Sequence, residues 1–465
     1  MAEPETAKNP LQVAVVGAGP SGFYATEALI KSGRAVHIDM IERLPAPFGL
    51  VRNGVAPDHP KLKQAIGVYQ KIAQNPEFNF IGNVTVGRDV TAAELRGTHD
   101  AVIYTCGSET DRKLGVAGED LPGSHTATEL VGWYNGHPDY RDRSFDFSHE
   151  TAVIIGQGNV AADAARILAK SPDELKNTDI AAHALEALAE SRIREIHVVG
   201  RRGPAQAKFT SKELREFLSI GNCDAVVDAA ELELNPQSER EIADKAGAMG
   251  KKNLELFRQM TAAGGKPRVC RFTFLKSPLQ LEGAARLERV VFAENSLSGD
   301  AFEQAARPTG ETFALECGLL FRSIGYRGVA IEGVPFDEKR GVFPNDAGRM
   351  IENAGSAEKG GVVRGVYTAG WIKRGPSGII GTNRACAVET VGALLDDWPE
   401  LRAPDAEPKP GAAKLYEMLD GRGVRHINYA QWQAIDAAEI KRGEPKQKPR
   451  EKFTRVEEML AAAGA

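Results

Sequence analysis

The chain has no paired cysteines. Its five, Cys106, Cys223, Cys270, Cys317 and Cys386, stand far apart, and neither CxxC nor CxxxxC occurs. That excludes a redox-active disulfide and leaves no cysteine set for an iron–sulfur cluster. An odd count at wide spacing suits a reducing, cytoplasmic setting. The nine histidines show no HxxH or HExxH spacing, so no metal site is expected. A basic excess is missing too: the formal net charge of −5 argues against a nucleic-acid binder. No apolar run is long enough to span a bilayer, so no membrane insertion is expected. Met1–Pro10 lacks the apolar stretch of a signal peptide, and its acids are unlike a mitochondrial transit peptide. The remainder is ordinary for a soluble enzyme of about two to three domains. Hydrophobic residues make up 42% and charged residues 26% of 465.

Glycine is where the sequence becomes informative. Gly17-Ala18-Gly19-Pro20-Ser21-Gly22 follows the apolar run Val13–Val16 and opens a helix-like stretch, Phe23–Lys31. Gly156-Gln157-Gly158-Asn159-Val160-Ala161 repeats the pattern after Ala152–Ile155 and before Ala162–Lys170, with alanine in the third position. In such a turn the first glycine allows the sharp bend and the second lets the backbone approach a pyrophosphate. The third permits close packing of helix on strand. The helix N-terminus then offers free N–H groups to the phosphates. The strand after the first turn ends in Glu42, about 20 residues past the turn, where a carboxylate accepts from a ribose hydroxyl. The strand after the second, Ile196–Gly200, ends in Arg201 and Arg202 with no acid. Two arginines are common in a solvated turn, but at a strand end beside a glycine turn they favour a 2′-phosphate. Two nucleotide sites of opposite charge imply FAD at the first and NADP(H) at the second.

The organisation follows from these turns. The expected class is α/β, with two Rossmann-like dinucleotide-binding domains. Residues 1–110 form the first part of the FAD domain, closed by Ala101–Cys106, and residues 111–335 form the NADP domain, closed by Leu319–Ile324. A third strand of the same kind, Gly365–Gly370, lies far downstream, so residues 336–465 return to the FAD domain and the NADP domain is inserted into it. The excess Ser171–Arg192 before the arginines reads as a helical excursion. Arg271–Lys276 and Leu287–Ala293 look strand-like, and Arg384–Leu395 looks helical. Ala403–Lys414 reads as a linker, and the tail beyond it, anchored by Tyr429, Trp432 and Phe453, packs on the body. The loop Leu44–Pro60, dense in Pro and Gly, holds His59; a long structureless loop is often functional, although a lone histidine is more often a capping or surface residue.

With these segments in hand the chain resembles the adrenodoxin-reductase-like ferredoxin–NADP reductases, and most closely their actinobacterial branch. The resemblance rests on VAVVGAGPSGFYA, FGLVRNGVAPDHP, GQGNVAADAARIL, VVGRRGPAQAKFTSKELREF and TAGWIKRGPSGIIGTN. It implies a two-domain flavoprotein passing electrons from NADPH through FAD to a ferredoxin-type iron–sulfur protein; a monomer is expected. It assigns Gly17, Gly19, Ser21, Gly22, Glu42, Leu50 and Val86 to FAD. Trp371, Gly378, Ile379 and Ile380 fall near the flavin ring, with Gly378 also facing the nicotinamide. Gly156, Gln157, Gly158, Asn159, Arg201, Arg202 and Glu213 match the NADP contacts. His59 and Asp163 match a pair near the nicotinamide. An acidic partner implies a basic docking face, for which Lys208, Lys212, Arg215, Lys251, Lys252 and Arg258 are candidates. The alternatives are an FAD- and NADPH-binding redox sensor, or an electron-transfer subunit like that of glutamate synthase, whose N-terminal cysteine-rich region is absent.

Overall fold

A computed structural model describes residues 10–260, 262–352, 360–402 and 407–465. The polar start of the chain, through residue 9, and residues 403–406 of the expected linker lie outside the described residues. The chain forms two compact units. Unit 1 comprises Met1–Val55, His59–Thr110 and Tyr326–Ala465; unit 2 comprises Ala56–Asp58 and Asp111–Gly325. The chain returns to unit 1 at Tyr326, ten residues before the expected 336.

Unit 1 is built on a seven-stranded sheet. Its strands run in the order Asn345–Asp346, Arg349–Ile351, Val362–Thr368, Ala101–Tyr104, Leu11–Val16, Val36–Glu42, Phe78–Gly82. The last five pair in parallel, and the first two add an antiparallel edge. Strands covered on both faces must be apolar throughout, and Val13–Val16 and Ala101–Tyr104 are buried at every position. Strand order reverses beside Leu11–Val16, which puts the glycine turn at the crevice where such sheets take ligands. The expected late strand is Val362–Thr368, and the expected helix is Thr382–Asp396. The tail contributes the helices Ala412–Gly421, Tyr429–Gly443 and Val456–Ala463. Trp432 is buried in the core, and Tyr429 and Phe453 pack against it. The loop at 44–60 is not structureless: Gly49–Asn53 and Pro60–Lys63 are short helices. Arg52 of the first donates twice to buried Glu439 of the tail, at 2.9 and 2.6 Å.

Unit 2 carries six parallel strands in the order Ser124–Thr126, Leu319–Arg322, Thr151–Ile155, Glu195–Val199, Arg268–Thr273, Cys223–Val227. The excursion before the arginines is helical, at Pro172–Leu175 and Ala182–Ala189. Two further helices, Pro236–Ala243 and Ala248–Phe257, precede the strand Arg268–Thr273. Arg271–Lys276 is not one strand. Leu275 has φ +55°, and this left-handed residue separates Arg268–Thr273 from Lys276–Glu282. The latter pairs antiparallel with Arg289–Ser298, which pairs with Ala305–Glu316. Among the described residues no helix is long and apolar enough to cross a membrane.

Candidate active site

In unit 1 the turn Gly17–Gly22 is shaped by three different demands. Gly17 has φ +105°, and a Cβ there would lie 2.8 Å from the Thr105 carbonyl oxygen. A Cβ on Gly22 would lie 2.2 Å from the Gly17 carbonyl oxygen, so the first turn of the helix Pro20–Lys31 rests directly on the bend. A Cβ on Gly19 would meet nothing within 4 Å. Protein packing therefore does not require glycine at 19, whereas a pyrophosphate laid against the backbone does. The N–H groups of Ser21 and Gly22 lie in the first turn of the helix that Pro20 opens, so they have no intrahelical acceptors.

Glu42 ends the neighbouring strand and turns its carboxylate onto this bend. It accepts from the Ala18 N–H at 2.9 Å and the Leu44 N–H at 3.1 Å. Burial pushes its carboxyl above the usual value against those bonds and the charge of Arg43. The Phe48 N–H donates to the Ala18 carbonyl at 2.7 Å, which brings Gly49 beside Gly19, and the next residue, Leu50, is exposed. Val86 lies two residues past Val84, whose N–H donates to the Glu42 carbonyl at 2.9 Å.

Trp371 opens the short helix Trp371–Arg374 and stacks on Tyr326, with ring centres 5.5 Å apart. Its indole N–H is buried and has no acceptor among the described residues. Such a donor fits a site completed by a ligand with polar ring atoms. Asn383 ties these pieces together. Its Oδ1 accepts from Ser21 Oγ at 3.2 Å and from Arg374 at 2.8 Å. Its Nδ2 lies 3.4 Å from the carbonyl oxygens of Ile379 and Ile380. Gly378 has φ +84°, and Ile379 is 64% exposed, an isolated apolar surface. Sequence reading singled out neither Asn383 nor Arg374.

Unit 2 repeats the turn. Gly156 has φ +135°, and a Cβ there would lie 2.1 Å from the Ser323 carbonyl oxygen, while Gly158 again faces open space. Asn159 starts the helix Asn159–Ala169 and accepts from the Thr210 N–H at 2.8 Å. Gln157 Nε2 donates to the Thr273 carbonyl at 3.0 Å. The Gly156 N–H donates to Val199 at 2.9 Å, so Arg201 and Arg202 leave the adjacent strand end beside the turn. No carboxylate bonds either side chain among the described residues. Burial and the charge of Arg201 lower the Arg202 pKa, so an anion there would be welcome.

Asp163 and Glu213 converge on a residue the sequence did not announce. Arg166 is fully buried, and donates to Asp58 at 2.6 and 3.0 Å, to Asp163 at 2.7 Å and to Glu213 at 3.4 Å. Glu216 lies 3.6 Å away, and Lys170 donates to Asp58 at 2.7 Å. Burial works against the Asp58 carboxylate, but Arg166 and Lys170 outweigh it and hold its pKa well below the usual range. The i, i+3 spacing of Asp163 and Arg166 was the available signal. His59, in unit 1, is buried and precedes the helix Pro60–Lys63, which its side chain does not cap.

This geometry has known counterparts. The NADPH-ferredoxin reductase FprA of Mycobacterium leprae is 44% identical over 456 residues, covering 96% of this chain and 97% of that one. The chain belongs to the NADPH–ferredoxin reductase family. The mitochondrial NADPH:adrenodoxin oxidoreductase of Arabidopsis thaliana is 43% identical over 466 residues, covering 98% of this chain and 95% of that one. Among solved structures, FprA of Mycobacterium tuberculosis in complex with NADPH superposes with a TM-score of 0.91 at 42% identity, covering 98% of this chain and all of that one. No protein-family model matches the chain. Both glycine turns of this reductase are therefore set in a fold that a relative presents with NADPH bound.

Proposed function

We propose that the protein is an FAD-dependent oxidoreductase that carries electrons from NADPH to a ferredoxin-type iron–sulfur protein. The observation that carries this reading is the pair of glycine turns with opposite charge at their strand ends, carboxylate in unit 1 and guanidiniums in unit 2. FAD, when bound, accepts a hydride from the nicotinamide and releases electrons singly. The chain binds, orients and excludes water. In unit 1, the FAD domain, the open side of Gly19 and the N–H groups of Ser21 and Gly22 take the pyrophosphate, and Glu42 accepts from the ribose hydroxyl. Leu50, Val86, Trp371 and Gly378–Ile380 would hold the ring, and Leu50 and Ile379 leave apolar surface open for it. In unit 2, the NADP(H) domain, the segment Gly156–Asn159 takes the pyrophosphate, and Arg201 and Arg202 clamp the 2′-phosphate. No side-chain nucleophile is required, because the work is the placing of two rings.

His59 and Asp163 act at the nicotinamide by orientation. His59→Ala and Asp163→Ala are expected to slow flavin reduction by about tenfold to a hundredfold, the scale of a misplaced reactant, with FAD still bound. Stopped-flow reduction by NADPH measures this; wild-type rates in both variants across pH 5–9 would remove the assignment. The acidic carrier docks on unit 2, where exposed Arg215 and Lys252 face a groove of about 530 Å³ between the helices Ser211–Glu216 and Ala248–Phe257. One chain supplies both turns, so the working form is a monomer, placed in the cytoplasm, where its five free cysteines stay reduced. The whole reading is tested by NADPH-dependent reduction of ferricyanide and of a purified ferredoxin; a protein that holds FAD and reduces neither is not this enzyme.

A further inference from the structure

The three antiparallel strands of unit 2, from Lys276 to Glu316, add nothing to the parallel sheet that a nucleotide-binding domain needs. They do reach the loop that carries the two arginines. Asn295 stands at the register shift after Ala293 and is only 6% exposed. Its Nδ2 donates to the Arg201 carbonyl at 3.1 Å and to Ser277 Oγ at 2.8 Å. Its own N–H donates to the Leu275 carbonyl at 2.8 Å, and the Leu275 N–H donates to the Arg202 carbonyl at 3.1 Å. Consecutive arginine carbonyls are thus held from the same side.

A second set of bonds holds the loop four residues on. Gln304, between the second and third strands, is 5% exposed and donates to Glu241 Oε1 at 2.8 Å. Glu241 Oε1 also accepts from the Phe302 N–H at 2.7 Å, and Oε2 accepts from Gln206 Nε2 at 2.9 Å. Both glutamines also bond Ser238 Oγ, at 2.9 and 3.0 Å. A buried network with nearly all its members paired is stiff, and a stiff loop has less conformational entropy to lose when the ligand arrives. Glu241 faces Arg202 electrostatically as well, each favouring the charged form of the other.

We propose that this three-stranded sheet, with the helix Pro236–Ala243 that it bonds, is the specificity element for the 2′-phosphate, with Asn295 and Gln304 of the sheet and Glu241 of the helix as positioning residues that fix where the guanidiniums of Arg201 and Arg202 start. The proposal rests on the assignment of those arginines to the phosphate. It requires that the sheet influence ligands that carry the phosphate and leave others alone.

Calorimetric titration of the holoenzyme with 2′,5′-ADP and with 5′-ADP separates the two, without any dependence on turnover. Asn295→Ala and Glu241→Ala should each weaken 2′,5′-ADP by about tenfold, equivalent to about 1.4 kcal/mol, and leave 5′-ADP within about twofold. Glu241→Gln should restore most of the affinity. Gln206 now presents its Nε2 to Glu241; turned over, its amide presents Oε1, which is buried without a partner among the described residues, to the new amide N–H. Should Asn295→Ala fail to fold, Gln304→Ala carries the same test from the connection between strands. Equal weakening of both ligands, or no change in either, overturns the proposal. Arg201→Ala/Arg202→Ala is the control. If it leaves the preference for 2′,5′-ADP intact, the phosphate assignment itself fails. If it abolishes that preference while the sheet variants keep it, only the role of the sheet fails.

Discussion

Protein lacking both guanidiniums, Arg201→Ala/Arg202→Ala, is expected to bind NADPH about a hundredfold or more weakly, while its use of NADH changes little. Each charge-assisted hydrogen bond to phosphate contributes about 1.5–3 kcal/mol, and about 1.4 kcal/mol is tenfold in affinity. The two side chains leave the strand end beside the Gly156 turn, Arg201 exposed and Arg202 half-buried. Neither is bonded to a carboxylate among the described residues, so their removal breaks no ion pair of the protein itself. The backbone of the loop is held through carbonyls, by Asn295 and Leu275, and survives truncation of the side chains. The loss should therefore be confined to the nucleotide that carries the phosphate. KM values for NADPH and NADH measured side by side decide it. Equal losses for both would make the arginines structural.

Arg166→Met is expected to cost unit 2 about 3–5 kcal/mol, because it strips the cation from a buried cluster and leaves the acids facing one another. Asp58, Asp163, Glu213 and Glu216 all lie within ion-pair distance of Arg166, and Lys170 pairs with Asp58 as well. The pH dependence has a definite sign. The pKa of Asp58 is depressed in the folded chain below an unfolded value of about 3.9, so the folded state binds fewer protons. Its contribution is present in full above that value and is lost as the pH falls through it towards the folded pKa. The gap between wild type and Arg166→Met should be widest near neutrality and close as the solution is acidified below about pH 4. Hydrogen exchange along the helix Asn159–Ala169 reads this directly; unchanged protection in the variant would show that the cluster stabilises nothing.

The parts of the site that depend on local sterics were legible in the residues themselves. Gly17 and Gly156 need a positive φ, and Gly22 needs the absence of a side chain against its own turn. Such demands select one residue type and leave a mark in sequence. The place of Glu42, Arg201 and Arg202 at the ends of apolar strands was legible too, because a charge there interrupts the apolar run. Contacts between distant segments left no such mark. Asn383 meets Ser21 across 362 positions, and Arg166 meets Asp58 across 108. Read along the chain, Asp163 and Arg166 look like an ordinary surface pair. The antiparallel sheet was obscure for another reason. Ala305–Glu316 is exposed along most of its length, so no alternation of apolar and polar residues betrays it. The helix Gly49–Asn53 is too short, at five residues, to show any period.

The absorbance spectrum of the purified protein, recorded without oxygen before and after one equivalent of NADPH, shows whether electrons pass from the nucleotide to a bound flavin. Flavin bands at one FAD per chain are expected to bleach with NADPH and to recover on addition of a one-electron acceptor such as ferricyanide. Bands that NADPH leaves unchanged, or a colourless protein that cannot be reconstituted with FAD, would contradict the proposed function.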